Sequence, residues 1–142
     1  MVDIRAAGAV MYRLEKDVPK YLILRSAHHG EWGPPKGRAD AGESDVQTAM
    51  REIYEETGFT KTQFTRGFRE TLSYVINKKG RRLTKDVIYF LSEIPAEPLE
   101  ISSEHTAARM VTMDEIETLI VHKDLKGVFR KAHEFITRAS QK

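Results

Sequence analysis

The sequence predicts an α+β fold in which a central mixed β-sheet is flanked by helices. Runs of β-forming residues are interspersed with stretches whose apolar residues recur at helical spacing, and the two do not alternate strictly as in a doubly wound fold. With 142 residues, the chain is close to the usual size of one domain and long enough to bury a core. No repeat, low-complexity tract or long linker divides it, so we expect a single domain over residues 1–142.

Composition excludes several classes of protein. Apolar residues make up 40% of the chain and charged residues 31%, which is ordinary for a soluble globular protein. The formal charge of +2 is too small to indicate a stable nucleic-acid partner, and the absence of cysteine excludes disulfides and thiolate chemistry. The first residues, MVDIRAAG, have no signal-peptide pattern, and no apolar run approaches the ~18 residues of a membrane span. We expect a cytoplasmic protein without a membrane partner, either a monomer or a homodimer.

In the first part of the chain we expect two strands and a long loop. Residues 6–14 and 20–26 are rich in β-forming side chains, and EKDVP between them has the charges and proline of a connection. Residues 27–42 hold two histidines, several glycines and the pair Pro34-Pro35, so no regular element is expected there. A loop of this length is frequently functional.

A helix is predicted between Ser44 and Gly58. Ser44 and Gln47 form a capping-box pattern at its start, and Gly58 supplies the stop at its end. An apolar stripe at helical spacing is expected to pack this helix on the sheet. The stripe consists of Val46, Ala49, Met50 and Ile53.

The second part of the chain predicts a hairpin, a short strand and two helices. Residues 64–76 and 81–94 are strand-like and are joined by Asn-Lys-Lys-Gly, a polar connector that suits a hairpin turn. A short strand is expected over residues 107–112, followed by a helix with Thr112 or Asp114 as its N-cap. A last amphipathic helix is indicated by Leu125, Val128, Phe129, Ala132 and Ile136.

Three glutamates crowd the C-terminal half of the first predicted helix. Glu52, Glu55 and Glu56 fall within roughly a 100° arc of one helix face. Glu52 and Glu56 repel each other at i, i+4 spacing, and the helix dipole disfavours anions at this end. Either the cluster is a solvated acidic face, or a bound divalent cation reverses the local energetics, since carboxylate oxygens are the ligands that Mg²⁺ prefers.

The residues around this cluster fit the longer pattern G-x5-E-x7-R-E-U-x-E-E-x-G-U, in which U is a large apolar residue. Its fixed positions are Gly37, Glu43, Arg51, Glu52, Ile53, Glu55, Glu56, Gly58 and Phe59. The segment resembles the Nudix box at every fixed position, in the loop-then-helix context that the family requires. The resemblance implies an α/β/α sandwich, Mg²⁺ or Mn²⁺ held by glutamates, and hydrolysis of a nucleoside diphosphate linked to another group.

The resemblance also implies roles for individual side chains. Glu104, in the segment Ser-Ser-Glu-His, resembles a family glutamate outside the box that approaches the metals, and either Glu104 or Glu56 is the general base. Arg51 orients a glutamate or ties the helix to the preceding loop, with Glu43 as an ion-pair partner. The implied metal-binding set is Glu52, Glu55, Glu56, Glu104 and Gly37. The implied catalytic set is Glu52, Glu55, Glu56, Glu104 and Arg51.

Residues 32–37 read WGPPKG, which is similar to the W-x-P-P-K-G segment of the asymmetric dinucleoside tetraphosphate hydrolases within this family. By that resemblance Lys36 meets phosphate as a compact positive charge, and Trp32 either contacts substrate or is a packed aromatic. The chain departs from the subfamily after Glu104-His105, where it reads TAARM instead of placing an aromatic residue.

Further aromatic and basic side chains are candidate substrate-binding residues. Tyr74, Lys85 and Tyr89 resemble positions that hold phosphate and adenine in the same subfamily, and both tyrosines are equally typical of half-buried strand aromatics. His28 and His29 either contact phosphate or face solvent.

The predicted hairpin tip carries four cations, and two other histidines occur late in the chain. The cations either keep the hairpin soluble or attract a highly charged substrate, such as the 5′ end of RNA or an inositol pyrophosphate. They are Lys78, Lys79, Arg81 and Arg82. His122 and His133 are predicted to be structural.

We therefore expect metal-dependent hydrolysis of dinucleoside polyphosphates, with diadenosine tetraphosphate giving ATP and AMP by water attack on a phosphorus. A small nucleotide is the expected partner and Mg²⁺ the expected cofactor, with Mn²⁺ as a substitute. The alternatives among hydrolases are an inositol pyrophosphate phosphatase, an RNA 5′-pyrophosphohydrolase and a nucleotide-pool pyrophosphatase. A nucleotide sensor without turnover is the alternative from a different class, and the intact glutamates of the box argue against it.

Overall fold

The computed structural model describes residues 2–140, which form seven strands and three helices. The strands are β1 (Ile4–Glu15), β2 (Val18–Ser26), β3 (Trp32–Gly33), β4 (Lys36–Arg38), β5 (Glu70–Lys78), β6 (Arg81–Glu93) and β7 (His105–Val111). The helices are α1 (Asp45–Thr57), α2 (Met113–Leu119) and α3 (Lys123–Ser140). The extent of the domain over residues 1–142 stays a prediction, since Met1, Gln141 and Lys142 lie outside the described residues. No described helix is long and apolar enough to span a membrane.

The strands pair in one mixed sheet. Its order is β3-β2-β1-β6-β5, with β4 paired to β1 and β7 paired to β2. β1 and β6 run parallel, and the other pairings are antiparallel. The first two predicted strands, β1 and β2, form one antiparallel pair, and the predicted β5–β6 hairpin forms another. The parallel β1–β6 pair joins them in the middle of the sheet.

Helices cover both faces of this sheet. Because side chains alternate along a strand, Met11 of β1 packs with Ile53 of α1 on one face. Its neighbour Val10 packs with Ile116 of α2 and Phe129 of α3 on the other face. The predicted α/β/α sandwich with a central mixed sheet is therefore confirmed.

Two predicted boundaries were wrong. Residues 27–42 are not wholly irregular, because β3 and β4 form there by pairing with β2 and β1. The strand predicted over residues 64–76 begins only at Glu70, and Phe64 makes an isolated bridge to Ser92. In both places the pairing between strands decides where regular structure forms, and the composition of the segment alone does not show it.

Helix ends follow the predicted local signals. Ser44 caps α1, with the reciprocal hydrogen bonds of a capping box to Gln47. Gly58 ends α1 in the left-handed conformation, with φ 79°. Of the two candidates for the cap of α2, Thr112 makes the capping box and Asp114 lies inside the helix.

Only half of the apolar stripe predicted for α1 belongs to the core. Ala49 and Ile53 are fully buried, whereas Val46 is 46% exposed and Met50 is 36% exposed. The buried face of α1 instead includes Glu56, which is only 3% exposed. The helix is therefore rotated on the sheet so that a carboxylate, rather than the whole apolar stripe, points inward.

Candidate active site

Gly37 lies where β4 meets α1 and permits a close approach between them. A Cβ at this position would be 2.1 Å from the carboxyl carbon of Glu52, so a larger residue would displace that carboxylate. The register of β4 against β1, which pairs Gly37 with Ala7, holds the bare backbone in place. Gly42, in contrast, has φ 81° and serves backbone conformation.

Arg51 compensates much of the crowded negative charge. Its guanidinium donates to Glu43 at 2.7 Å, to Glu52 at 2.8 Å and to Glu55 at 2.9 Å. It also donates to the carbonyl of Arg38 at 2.8 Å, which ties α1 to the end of β4. The hydrogen bonds from Arg51 lower the pKa of Glu43 to about 2. The predicted Arg51–Glu43 ion pair is confirmed.

Glu56 is not among the carboxylates that Arg51 binds. Its Oε1 lies 3.3 Å from Nε2 of His105, and its buried Oε2 has no hydrogen-bond partner within residues 2–140. Burial, followed by the adjacent carboxylate of Glu52, raises the pKa of Glu56 well above its usual range. A buried carboxylate oxygen without a partner is costly, so Glu56 needs either a proton or a cation beside it.

The oxygen atoms at this junction suit a hard divalent cation. Glu52 and Glu56 offer carboxylates, and the missing side chain of Gly37 lets the Glu52 carboxylate lie directly against the backbone of β4. A cation next to Glu56 would favour its ionised form and reverse the direction of its pKa shift. Among the described side chains, no three acidic or histidine residues are already gathered as a metal cage, and the carboxylates of Glu52 and Glu55 are turned toward Arg51.

A cavity of about 790 Å³ opens beside Glu56. Its walls come from the loop after β2, the β5–β6 hairpin, the turn before β7 and the start of α3. This volume is typical of sites that hold a nucleotide-sized ligand. The predicted site residues that line it are His28, His29, Trp32, Lys36, Glu56, Tyr74, Lys85, Tyr89 and Glu104.

The structure separates the predicted acidic residues into two groups. Glu56 and Glu104 line the cavity, and a hydrogen bond from the Ala27 amide to the Glu104 carbonyl, at 2.9 Å, ties the turn of Glu104 to the loop after β2. Glu52 and Glu55 do not line the cavity, and the side chain of Glu55 is 50% exposed. The two predicted candidates for the general base are thus the two that face the cavity.

The β5–β6 hairpin presents an aromatic ring and a cation side by side. Tyr74 and Lys85 are directly paired across the hairpin, and burial, with the positive charges of Lys36 and Arg38, lowers the pKa of Lys85. Tyr89 is 1% exposed and belongs to the core beneath the cavity. Of the two tyrosines, Tyr74 and Tyr89, it is therefore Tyr74 whose ring is partly exposed.

Trp32 and the loop histidines border the same space. Trp32 packs partly against the core, and the centre of its ring lies 5.9 Å from the guanidinium carbon of Arg109. The same side chain also lines the cavity, so it is both a packed aromatic and part of the cavity wall. His28 and His29 are exposed, and both of their amides donate to the hydroxyl of Ser26.

The two histidines predicted to be structural both bind side chains that are distant in the chain. The side chain of His122 is 60% exposed and lines the cavity, where its Nε2 lies 2.9 Å from Oε2 of Glu31. His133 is structural, since its Nδ1 shares a hydrogen bond of 2.7 Å with the hydroxyl of Tyr21. Sequence reasoning also missed the contact of His105 with Glu56. No local signal marks either contact, because the partners are far apart in the chain.

Comparison with known proteins shows the family of this chain. Residues 3–132 match the NUDIX domain. The chain belongs to the Nudix family. This Nudix chain is 39% identical, over 147 aligned positions, to the asymmetrical bis(5′-nucleosyl)-tetraphosphatase of Sus scrofa, with 94% of this chain and 95% of the relative covered. It is 32% identical to the Caenorhabditis elegans enzyme of the same name, over 94% of this chain and 96% of the relative.

A solved structure gives the same result. The binary complex of a C. elegans Ap4A hydrolase superposes with a TM-score of 0.85 at 29% identity, covering 94% of the Nudix chain and 98% of that structure. The chain is accordingly a Nudix hydrolase closely related to the asymmetrical tetraphosphatases, and Nudix hydrolases depend on divalent metal ions.

Proposed function

We propose that this Nudix hydrolase cleaves dinucleoside polyphosphates, with diadenosine tetraphosphate giving ATP and AMP. The observation that carries the proposal is the cavity that joins Glu56 to Lys36, Lys85 and Tyr74. Two cations suit a polyphosphate, and a tyrosine ring suits a purine base. The likeness to asymmetrical tetraphosphatases over nearly the full chain supports the same substrate.

We infer that Mg²⁺, or Mn²⁺ in its place, is held by Glu52, Glu56 and the backbone of Gly37, with Glu104 from the facing turn. Glu55 serves as a further ligand or contacts a metal-bound water. The buried Oε2 of Glu56 and the close approach of the Glu52 carboxylate to the backbone of Gly37 support this assignment. When bound, the cation supplies neutralising charge and a Lewis acid at the polyphosphate.

The side chains of the cavity divide the remaining tasks. Lys36 and Lys85 bind phosphate oxygens and reduce the charge that repels an incoming nucleophile. Glu56 or Glu104 accepts a proton from the attacking water while the water oxygen bonds to phosphorus. The bond from that phosphorus to the departing ATP then breaks. Arg51 is a positioning residue, because it holds Glu43, Glu52 and Glu55 without lining the cavity.

The test is to incubate the purified protein with diadenosine tetraphosphate and Mg²⁺, with and without a chelator, and to separate the products by anion exchange. We expect ATP and AMP in equal amounts, and no products when the metal is chelated. Two molecules of ADP would contradict asymmetric cleavage. Binding without turnover would support the nucleotide sensor, and neither binding nor turnover would direct the search to inositol pyrophosphates.

Substitution separates the two candidate bases. We expect the variant that removes the base, Glu56→Gln or Glu104→Gln, to lower turnover by about 10²- to 10⁴-fold while nucleotide binding and Mg²⁺ affinity are kept. A variant that removes only a metal ligand is expected to weaken Mg²⁺ affinity as well, so both quantities are measured. Glu117→Gln is the matched control, because Glu117 forms an ion pair with Arg130 away from the cavity. Unchanged turnover in a variant would remove that glutamate from the mechanism.

A further inference from the structure

The β5–β6 hairpin continues beyond the cavity, and its two faces carry different side chains. The register places three pairs on one face, Tyr74 with Lys85, Ile76 with Leu83, and Lys78 with Arg81. Successive pairs are two residues apart on each strand, so their side chains project in the same direction. Since Tyr74, Ile76 and Lys85 line the cavity, Lys78 and Arg81 extend the cavity face toward the hairpin tip.

The other two cations of the tip lie elsewhere. Arg82 pairs with Asn77, one residue out of step with the cavity-facing pairs, so it projects from the opposite face. Lys79 lies in the turn itself, with φ 51°. The four cations that form one cluster in the sequence are therefore divided. Lys78 and Arg81 lie on the cavity face, Arg82 lies on the opposite face, and Lys79 lies in the turn between the strands.

The cavity face of the hairpin has a regular chemical order. Lys85 and Arg81 are four residues apart, which is ~13 Å along an extended strand. The half-buried apolar pair Ile76–Leu83 lies between them, and Lys78 is exposed beside Arg81. Hydrogen bonds from Thr84 lower the pKa of the Asp3 carboxyl, and the positive charge of Arg81 acts in the same direction. Beyond Tyr74 the face thus offers an apolar surface followed by two solvent-exposed cations.

We propose that this face is a subsite for a phosphate carried on the ribose of the bound nucleotide, beyond its 5′ polyphosphate. The inference rests on the proposed function, which puts the polyphosphate near Lys36 and Glu56 and the nucleoside near Tyr74. A substrate that continues from the nucleoside toward the hairpin tip does so through its ribose. Aromatic and apolar surfaces combined with a line of cations hold single-stranded nucleic acid in the same manner.

Three ligands test the subsite and distinguish a small nucleotide from an RNA as the source of the ribose phosphate. They are adenosine 5′-triphosphate with methylene bridges that prevent hydrolysis, the same compound with a 3′-phosphate, and a six-nucleotide RNA with the same 5′ end. Binding to the full chain with Mg²⁺ is measured by calorimetry. We expect the ribose phosphate to tighten binding at least about tenfold. The slope of log K against log salt concentration is expected to steepen by ~0.7 for each phosphate contact.

The substitutions use the division of the hairpin tip. Lys78→Ala with Arg81→Ala removes the two cavity-face cations. We expect this double variant to lose the gain in affinity that the ribose phosphate provides, while its affinity for the simple triphosphate is unchanged. Lys79→Ala with Arg82→Ala removes the same charge from the same tip, and we expect the gain to be kept. A gain from the 3′-phosphate alone assigns the subsite to small nucleotides, and a gain restricted to the RNA assigns it to an oligonucleotide.

Two results would overturn the subsite. One is equal affinity of the wild-type chain for all three ligands, and the other is equal loss in the two double variants, which would indicate general attraction by charge. Turnover of diadenosine tetraphosphate is measured separately in all variants. Its absence would contradict the proposed function while the comparison of binding still decides on the subsite.

Discussion

At the scale of single residues, three positions explain how carboxylates can crowd on α1. Arg51 binds Glu52 and Glu55, and Gly37 gives the Glu52 carboxylate room against the backbone. Glu56 keeps a buried oxygen without a hydrogen-bond partner among the described residues. The crowding is therefore compensated within the chain at Arg51, and Glu56 is left for a proton or a cation.

We predict that Gly37→Ala lowers turnover of diadenosine tetraphosphate and Mg²⁺ affinity about 10- to 100-fold, the range for lost support of a metal ligand. The added Cβ would lie 2.1 Å from the Glu52 carboxyl carbon, so that carboxylate must move. Gly127→Ala in α3 is the control, because nothing lies within 4 Å of its added Cβ. Removing this helical glycine is expected to stabilise the fold by ~1 kcal/mol without changing turnover. Full activity in Gly37→Ala would contradict the close approach.

Acid stability is expected to depend on Glu43. Hydrogen bonds from Arg51 lower its pKa from the ordinary 4.5 to about 2 in the folded chain. A lowered pKa contributes stability above the unfolded value, and that contribution is lost as the pH falls from about 4.5 to about 2. We predict that Glu43→Gln flattens this part of the profile of unfolding free energy against pH, measured by denaturant titration. Parallel profiles for the two proteins would rule out the contribution.

At the scale of elements, α1 shows where local pattern stops being informative. Its capping box and terminal glycine were predictable because Ser44, Gln47 and Gly58 act within one helical turn. The face that packs on the sheet was predicted only in part. Helical periodicity allows several rotations of α1, and packing selected the one that buries Glu56 and leaves Met50 36% exposed.

This rotation predicts unequal costs within the apolar stripe. We expect Ile53→Ala to lower the free energy of unfolding by about 2–5 kcal/mol, because Ile53 is fully buried between α1 and the sheet. Met50→Ala is the matched comparison and is expected to cost less than ~1 kcal/mol, because its side chain is partly exposed. Denaturant unfolding of both variants gives the two values. Similar losses would mean that the whole stripe is core.

At the scale of the whole molecule, the cavity is assembled from segments far apart in the chain. The contact of Glu31 with His122 spans 91 residues, and that of Glu56 with His105 joins α1 to β7. The cavity exists only once the sheet has brought the hairpin, the loops and α3 together. Ligand binding is therefore expected to stabilise all of these segments together.

Trp32 is the reporter for such binding, since it is the one tryptophan of the sequence and it lines the cavity. We predict that a hydrolysis-resistant nucleotide with Mg²⁺ changes its fluorescence, and that ligand at ~100 times its Kd stabilises the fold by about 2.7 kcal/mol. Trp32→Phe is the control, in which the thermal stabilisation persists and the optical signal is lost. An unchanged emission spectrum at saturating nucleotide would place the ligand elsewhere.

The sequence by itself determined the family, the helix caps, the β5–β6 hairpin and the glutamates of the Nudix box. Each of these depends on residue types at fixed spacing within a short segment. Only the tertiary structure decided that Glu56 and Glu104 face the cavity, that Tyr89 lies in the core, and that Lys78 and Arg81 share a hairpin face that excludes Arg82. Those outcomes depend on helix rotation and strand register. Both are selected by packing and by backbone hydrogen bonds between distant segments, which a local pattern does not contain.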